Sequence, residues 1–288
     1  MSEGTDPATS NVEQSRYWNE QGGPKWVALE DALDAQLEPF GKAVLGKLAL
    51  QGDERVIDVG CGAGATSILL SESVPRGRVT GVDVSGPLVA RARVRGASRS
   101  NLAFTLADAQ TFAFEAASAD VLFSRFGVMF FDDPVAAFAN LRTALRPGGR
   151  LAFVCWRPMS ENPSFTLPLE AGRPFLVEPP VPPAPGAPGP FAFAETGRVA
   201  TLLASAGFAS IDVTPFDTDI AVAGRSDLEA AVDLALNVGP LARALPEVDP
   251  TTREKLRDAV RAAFLPHHGP RGVILPAATW IATATRAA

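Results

Sequence analysis

A chain of 288 residues, 47% apolar and 20% charged, is long enough to bury a self-sufficient core without disulfide or metal staples. Its formal charge of −6 argues against nucleic acid as a partner, and its two cysteines, Cys61 and Cys155, make neither a disulfide framework nor a metal cluster. No apolar run reaches the ~18 residues of a membrane span, and Met1 to about Arg16 lacks an apolar signal core, so stable membrane insertion is not expected and the cytoplasm is the expected compartment.

The first sixteen residues read as a flexible tail, followed by an aromatic segment with Tyr17, Trp18 and Trp26. Leu29, Leu33, Leu37, Phe40, Val44 and Leu48 recur at helical spacing and predict an amphipathic helix that Pro39 can kink. From Arg55 to Trp156 short apolar runs alternate with helical patterns. Strands are predicted at Arg55–Val59, Arg78–Val82, Leu102–Leu106, Ala119–Ser124 and Arg150–Trp156. Helices are predicted at Ala65–Val74, Pro87–Arg95 and behind the Asp133-Pro134 cap, with Arg146-Pro-Gly-Gly149 as a turn. That alternation implies an α/β doubly wound parallel sheet covered on both faces. The four arginines between Arg91 and Arg99 suit a solvated helix face.

Eight prolines lie between Arg173 and Pro190, too many for a helix or a central strand. They form either an exposed linker or a stiff loop draped over the sheet, the second favoured by the flanking Phe175, Phe191 and Phe193. A helix at Thr196–Ala206 closed by Gly207 and a strand at Ile211–Val222 follow. Two helices open at Ser226-x-x-Glu229 and at Thr251-x-x-Glu254 behind Asp249-Pro250, and Val273–Thr285 is a long last strand. The stretch 224–272 therefore reads as a helical insertion, 173–190 as a proline-rich loop, and 1–49 as a tail with N-terminal lid helices preceding a domain over 50–288.

The chemistry concentrates in Asp58-Val-Gly-Cys-Gly-Ala-Gly64. Glycines leaving a first strand let a ligand approach the backbone, and the spacing fits both an adenosylmethionine loop and a dinucleotide fingerprint. Asp83, ending the second strand, suits the ribose hydroxyls of either. Three neighbours favour adenosylmethionine. Asp58 would repel a pyrophosphate but welcome an α-ammonium, Asp108 after the third strand can accept from an adenine amine, and no second βαβαβ half follows. Each acid also has a plain reading: Asp58 as a brace for the loop, Asp83 and Asp108 as turn residues.

Val56-Ile-Asp-Val-Gly-Cys-Gly-Ala-Gly64, Gly81-Val-Asp-Val-Ser85, Ala107-Asp-Ala109 and Leu145-Arg-Pro-Gly-Gly-Arg-Leu151 together resemble the successive motifs of class I S-adenosylmethionine-dependent methyltransferases. The likeness is strongest to the small-molecule branch that includes the ubiquinone/menaquinone C-methyltransferases, and it covers residues 50–157 strongly. It implies a Rossmann-like seven-stranded sheet with an antiparallel last strand and S-adenosyl-L-methionine as cofactor. By the family pattern Gly60, Cys61, Gly62 and Gly64 lie along the cofactor, with the Cys61 thiol passive. Asp83 holds the ribose, Val84 meets the adenine, Asp108 and the Ala109 amide read its edge, and Ser124 and Arg125 face the methionine end and the acceptor. Tyr17 and Trp26 can form an N-terminal lid, or simply pack as aromatic core.

The acceptor is less defined. Phe126, Met129, Phe130 and Phe131 suggest an apolar pocket for a small organic molecule, and both the Asn/Asp-Pro-Pro-aromatic motif of amino-group methylation on adenine or glutamine and the Pro-Cys nucleophile of cytosine C5 methylation are missing. His267 and His268 are the candidate bases, with Arg125 beside the acceptor edge and Asp132 and Asp133 nearby. An NAD-dependent oxidoreductase on the same sheet and a cofactor-binding module without turnover are the rival readings.

Overall fold

The computed structural model describes residues 11–176, 183–224, 227–245 and 248–288. The chain enters through α1 (Val12–Tyr17), a π-helical turn at Trp18–Gly22, α2 (Gly23–Ala28) and α3 (Glu30–Leu48). The tail expected to reach residue 16 is thus already helical from Val12, and its first ten residues lie outside the described ones. Along α3 the stripe Leu33, Leu37, Phe40, Val44 and Leu48 is buried, and the helix continues through Pro39.

Five strands, β1 (Arg55–Val59), β2 (Arg78–Asp83), β3 (Leu102–Leu106), β4 (Ala119–Arg125) and β5 (Leu145–Trp156), pair in parallel in the order β3-β2-β1-β4-β5. The crossovers are α4 (Ala65–Ser73), α5 (Gly86–Gly96) and α6 (Pro134–Ala144). Ser85 and Asp133 cap α5 and α6 by accepting from Leu88 and Ala136 amides. Arg146-Pro-Gly-Gly149 does not separate a helix from a strand. It lies inside β5 as an irregularity opposite Ala119–Val121, with Gly148 at φ +72°.

After β5 come α7 (Pro163–Gly172), which no pattern in the sequence marks, α8 (Thr196–Ser205), β6 (Ala209–Ala221), α9 (Leu228–Asn237), α10 (Pro240–Ala244), α11 (Pro250–Phe264), a two-residue β7 (His268–Gly269) and β8 (Gly272–Thr285). β8 slots between β5 and β6, antiparallel to both. The main path therefore holds seven strands with the last antiparallel, and β7 adds a short hairpin.

Two caps differ from their expected form. Asp249 itself accepts the Thr251 and Thr252 amides at 2.9 and 3.1 Å, so it caps α11 in place of Thr251. Asp227 caps α9, Ser226 lies outside the described residues, and Glu229 pairs with Arg257 and Arg261 across to α11. The helical stretch buries Val232, Leu256, Val260 and Phe264 against Leu33, Val273 and Leu275. This second apolar cluster stands beside the main one centred on Phe40, Leu122, Phe123, Leu151 and Phe153. Among the described residues no helix is long and apolar enough to cross a membrane.

Candidate active site

The strand order reverses between β1 and β4, and the crevice above such a point is where open α/β sheets bind ligands. A cavity of about 480 Å³ occupies it. Its floor is the loop after β1, folded onto β2 by Gly60 and Cys61 amides that both donate to the Val82 carbonyl.

The three glycines serve different ends. A Cβ on Gly60 would lie 2.6 Å from Gly127 Cα, so this residue lets the β1 and β4 loops touch. Gly64, at φ +87°, abuts Phe104 and Ala92 and does not line the cavity. Gly62, at φ +55°, lines it, and a Cβ there would meet nothing within 4 Å. That is the cradle a ligand would fill.

Asp83 closes the loop from the β2 side. Its Oδ2 accepts from the Gly62 amide at 2.8 Å and its Oδ1 from the Ser85 amide at 2.9 Å. Burial raises its carboxyl pKa, and the Ser85, Gly62 and Val84 amides oppose that rise. Asp108, past β3, accepts from the Gln110 amide at 2.9 Å and from Asn11 Nδ2 at 3.1 Å. Val84 and Ala109 line the same side. Cys61 is buried, and burial pushes its thiol well up, so it is an inert wall.

Asp58 and Ser124 stand behind the cavity and do not line it. Asp58 is fully buried, and its Oδ2 accepts from Thr66 Oγ1 at 2.7 Å and Ser67 Oγ at 2.6 Å, in the first turn of α4. Burial pushes its pKa up to about 6, against the lowering by Ser67, Thr66 and Arg125, while Oδ1 is buried without a partner. The carboxylate thus already neutralises the positive end of α4, the place where a dinucleotide would set its pyrophosphate. Ser124 donates to the Val59 carbonyl at 2.7 Å and accepts from the Gly127 amide at 3.1 Å, tying β1 to β4.

The opposite end of the cavity is aromatic. Phe126 stacks on Trp156 with centroids 4.4 Å apart, Phe165 meets Trp156 edge-on, and Trp18 bridges Trp26 and Phe130. Pro183 to Ala192 run along the wall, so this part of the proline segment lies as a loop over the sheet edge, while residues 177–182 lie outside the described ones. Phe193 enters the main core and Phe175 the second one. Within this wall Arg125 and Asp34 make a polar corner, 3.4 Å apart, with Arg95 2.8 Å from the other Asp34 oxygen.

His267 and His268 are exposed and do not line the cavity, so neither is placed to take a proton there. Asp132 is exposed and Asp133 is committed to its cap. Residues not foreseen from sequence are Asp34 and Gln36 on α3, and Asn11 and Asn19 in the lid. Asn19 donates to the Val84 carbonyl and accepts from the Gly86 amide, and Ser85 Oγ donates to the Trp18 carbonyl. No motif marks them, because the sheet partners of Asn11 and Asn19 lie 65 to 97 residues away in sequence and that of Gln36 187 away. Among the described residues no group of His, Cys, Asp or Glu could hold a metal.

A reversed-order parallel sheet, one inserted antiparallel strand, a glycine loop and acids at two strand ends define a Rossmann-like domain for a nucleoside-bearing cofactor. Residues 57–153 match the family model described as methyltransferase domain. Aklanonic acid methyltransferase DauC of Streptomyces sp. is 34% identical over 118 residues, 40% of this chain and 54% of that one. Demethylmenaquinone methyltransferase of Staphylococcus aureus is 32% identical over 135 residues, 46% of this chain and 54% of that one. In fold the chain is similar to phosphoethanolamine N-methyltransferase 2 of Haemonchus contortus, solved with S-adenosyl-L-methionine. The TM-score is 0.52 at 16% identity, over 86% of this chain and 52% of that one. The chain spans about half the length or less of the curated relatives it matches first. Over residues 57–153 the chain is thus similar to methyltransferase domains, and the named relatives it matches there are methyltransferases.

Proposed function

We propose that the protein transfers a methyl group from S-adenosylmethionine to a small organic acceptor of apolar character. The observation that carries this is the division of one cavity into two chemical halves: Gly62, Asp83 and Asp108 at one end, and an aromatic chamber at the other. The fit to the cofactor rests on the open space over Gly62, on Asp83 beside it for the ribose, and on Asp108 for the adenine edge. The methyl sulfonium, when bound, supplies an electrophile that already carries its leaving group.

What the chain has to add is alignment and dryness. Trp18, Trp26, Phe126, Phe130, Trp156 and Phe165 exclude water and hold a flat apolar acceptor. Fixing two reactants in this way can supply on the order of 7–11 kcal/mol. Arg125 and Asp34 orient whatever polar group the acceptor carries. Asp58 acts from behind, keeping the start of α4 in place.

Isothermal titration with S-adenosylmethionine, S-adenosylhomocysteine and NAD tests the cofactor half, and radiolabelled methyl transfer onto a metabolite extract tests turnover. Asp83→Ala should weaken S-adenosylhomocysteine binding by about 1–3 kcal/mol, the cost of a lost charge-assisted bond. Tight NAD binding with no affinity for either methyl-cycle ligand overturns the reading. Binding without transfer to any acceptor would leave a cofactor-binding module.

A further inference from the structure

An asparagine just before a helix ordinarily accepts from that helix's own amides. Asn11 precedes α1 and makes no such bond. It adopts a left-handed backbone, φ 67°, which asparagine tolerates better than most residues, and sends its side chain across to the end of β3. There Nδ2 donates to Asp108 Oδ1 at 3.1 Å.

This bond fixes which way the amide points. Its nitrogen faces Asp108, and its Oδ1 is left buried without a donor. Asp108 Oδ1 also receives the Gln110 amide, while Asp108 Oδ2 has no partner among the described residues. Two acceptor oxygens on adjoining side chains, both from residues lining the cavity, are therefore waiting for donors. A buried acceptor without a donor is costly to keep, so its persistence points to a ligand that supplies one. One group donates twice from a single flat atom: a primary amine on an aromatic ring.

We propose that Asn11 is a lid-borne reader of the adenine amine, resting on the adenosylmethionine reading above. Asp108 Oδ2 takes one amine hydrogen and Asn11 Oδ1 the other. A purine with a 6-oxo group in that place sets oxygen against oxygen. Asn11 joins Asn19 and the Ser85–Trp18 bond in fastening the lid to the ends of β2 and β3, so closure of the lid is coupled to the identity of the base.

The test uses calorimetry on the full chain with S-adenosylhomocysteine and its 6-oxo analogue S-inosylhomocysteine. Wild type should prefer the adenosyl ligand by roughly tenfold or more, as sites built around a ligand donor do. Asn11→Ala should lower affinity for S-adenosylhomocysteine by about five- to tenfold and leave S-inosylhomocysteine within about twofold, so that discrimination shrinks. An unliganded melting midpoint equal to wild type confirms that the variant folds. Equal losses for both ligands would make Asn11 a packing residue of the lid, and no loss for either would remove it from the site; both overturn the proposal. Wild type failing to bind S-adenosylhomocysteine at all is a different failure, that of the cofactor reading itself.

Discussion

Asp58 carries its charge in a fully buried place, and its titration reports that. In the folded chain its pKa is about 6, against an ordinary 3.8, so between those values the folded state binds a proton that the unfolded chain has lost. Stability from this group is therefore greatest below about pH 4, declines as pH rises toward 6, and is level above, a difference of about 3 kcal/mol. Asp58→Asn keeps an oxygen to accept from Thr66 and Ser67 but has no proton to lose. Urea unfolding at half-unit steps from pH 4 to 7 should show the wild-type decline flattened in the variant. A constant offset between the two curves across that window would show that Asp58 does not titrate there. At this scale Asp83 and Asp108 were legible in the sequence, because an acid at the end of a strand is visible from spacing alone. Asp58 was legible both as a partner for an ammonium and as a brace for the loop, and only the fold shows it behind the loop and bound to α4. Asn11 was hidden because it falls in a polar stretch that reads as a flexible tail.

Between residue and molecule lies the lid, α1 to α2, which is held to the sheet through few polar bonds. Asn19 makes two of them, to the Val84 carbonyl at 3.0 Å and from the Gly86 amide at 2.9 Å, and within the lid it donates to the Ser15 carbonyl at 2.7 Å. Asn19→Ala unties the β2 end from the lid without touching the main core. Hydrogen exchange should show protection of residues 12–28 falling by about five- to thirtyfold, the scale of about one or two kcal/mol, with β1 and β4 amides unchanged. Uniform loss across the sheet would mean that the lid and core open as one unit. The central elements, β1 to β5 and α4 to α6, were readable because period-2 and period-3.6 patterns alternate there with glycine and proline punctuation. α7 was not, since Pro163 and Pro168 break the helical pattern in a segment whose neighbours are also proline-rich. The bend at Gly148 reads as a turn in one dimension, and only the register with β4 reveals that pairing resumes around it.

At the scale of the whole molecule the sheet decides between cofactors that the glycine loop alone admits. A dinucleotide needs a second nucleotide pocket across the crevice, over β4 and β5. Here that side is walled by Phe126 stacked on Trp156, with Phe165 edge-on, and β8 enters antiparallel where a second parallel half would continue. The start of α4, which would hold a pyrophosphate, is already served by the Asp58 carboxylate. Ligand binding to the folded state alone adds about 2.7 kcal/mol of stability at a hundred times Kd. For a chain of this length that amounts to a rise in melting midpoint of about 5 °C. Thermal unfolding with S-adenosylmethionine at that excess should show this rise, and NAD at the same concentration should leave the midpoint where it is. A rise with NAD and none with S-adenosylmethionine would mean that the aromatic chamber opens to admit a nicotinamide half, and that the cavity is not divided as described.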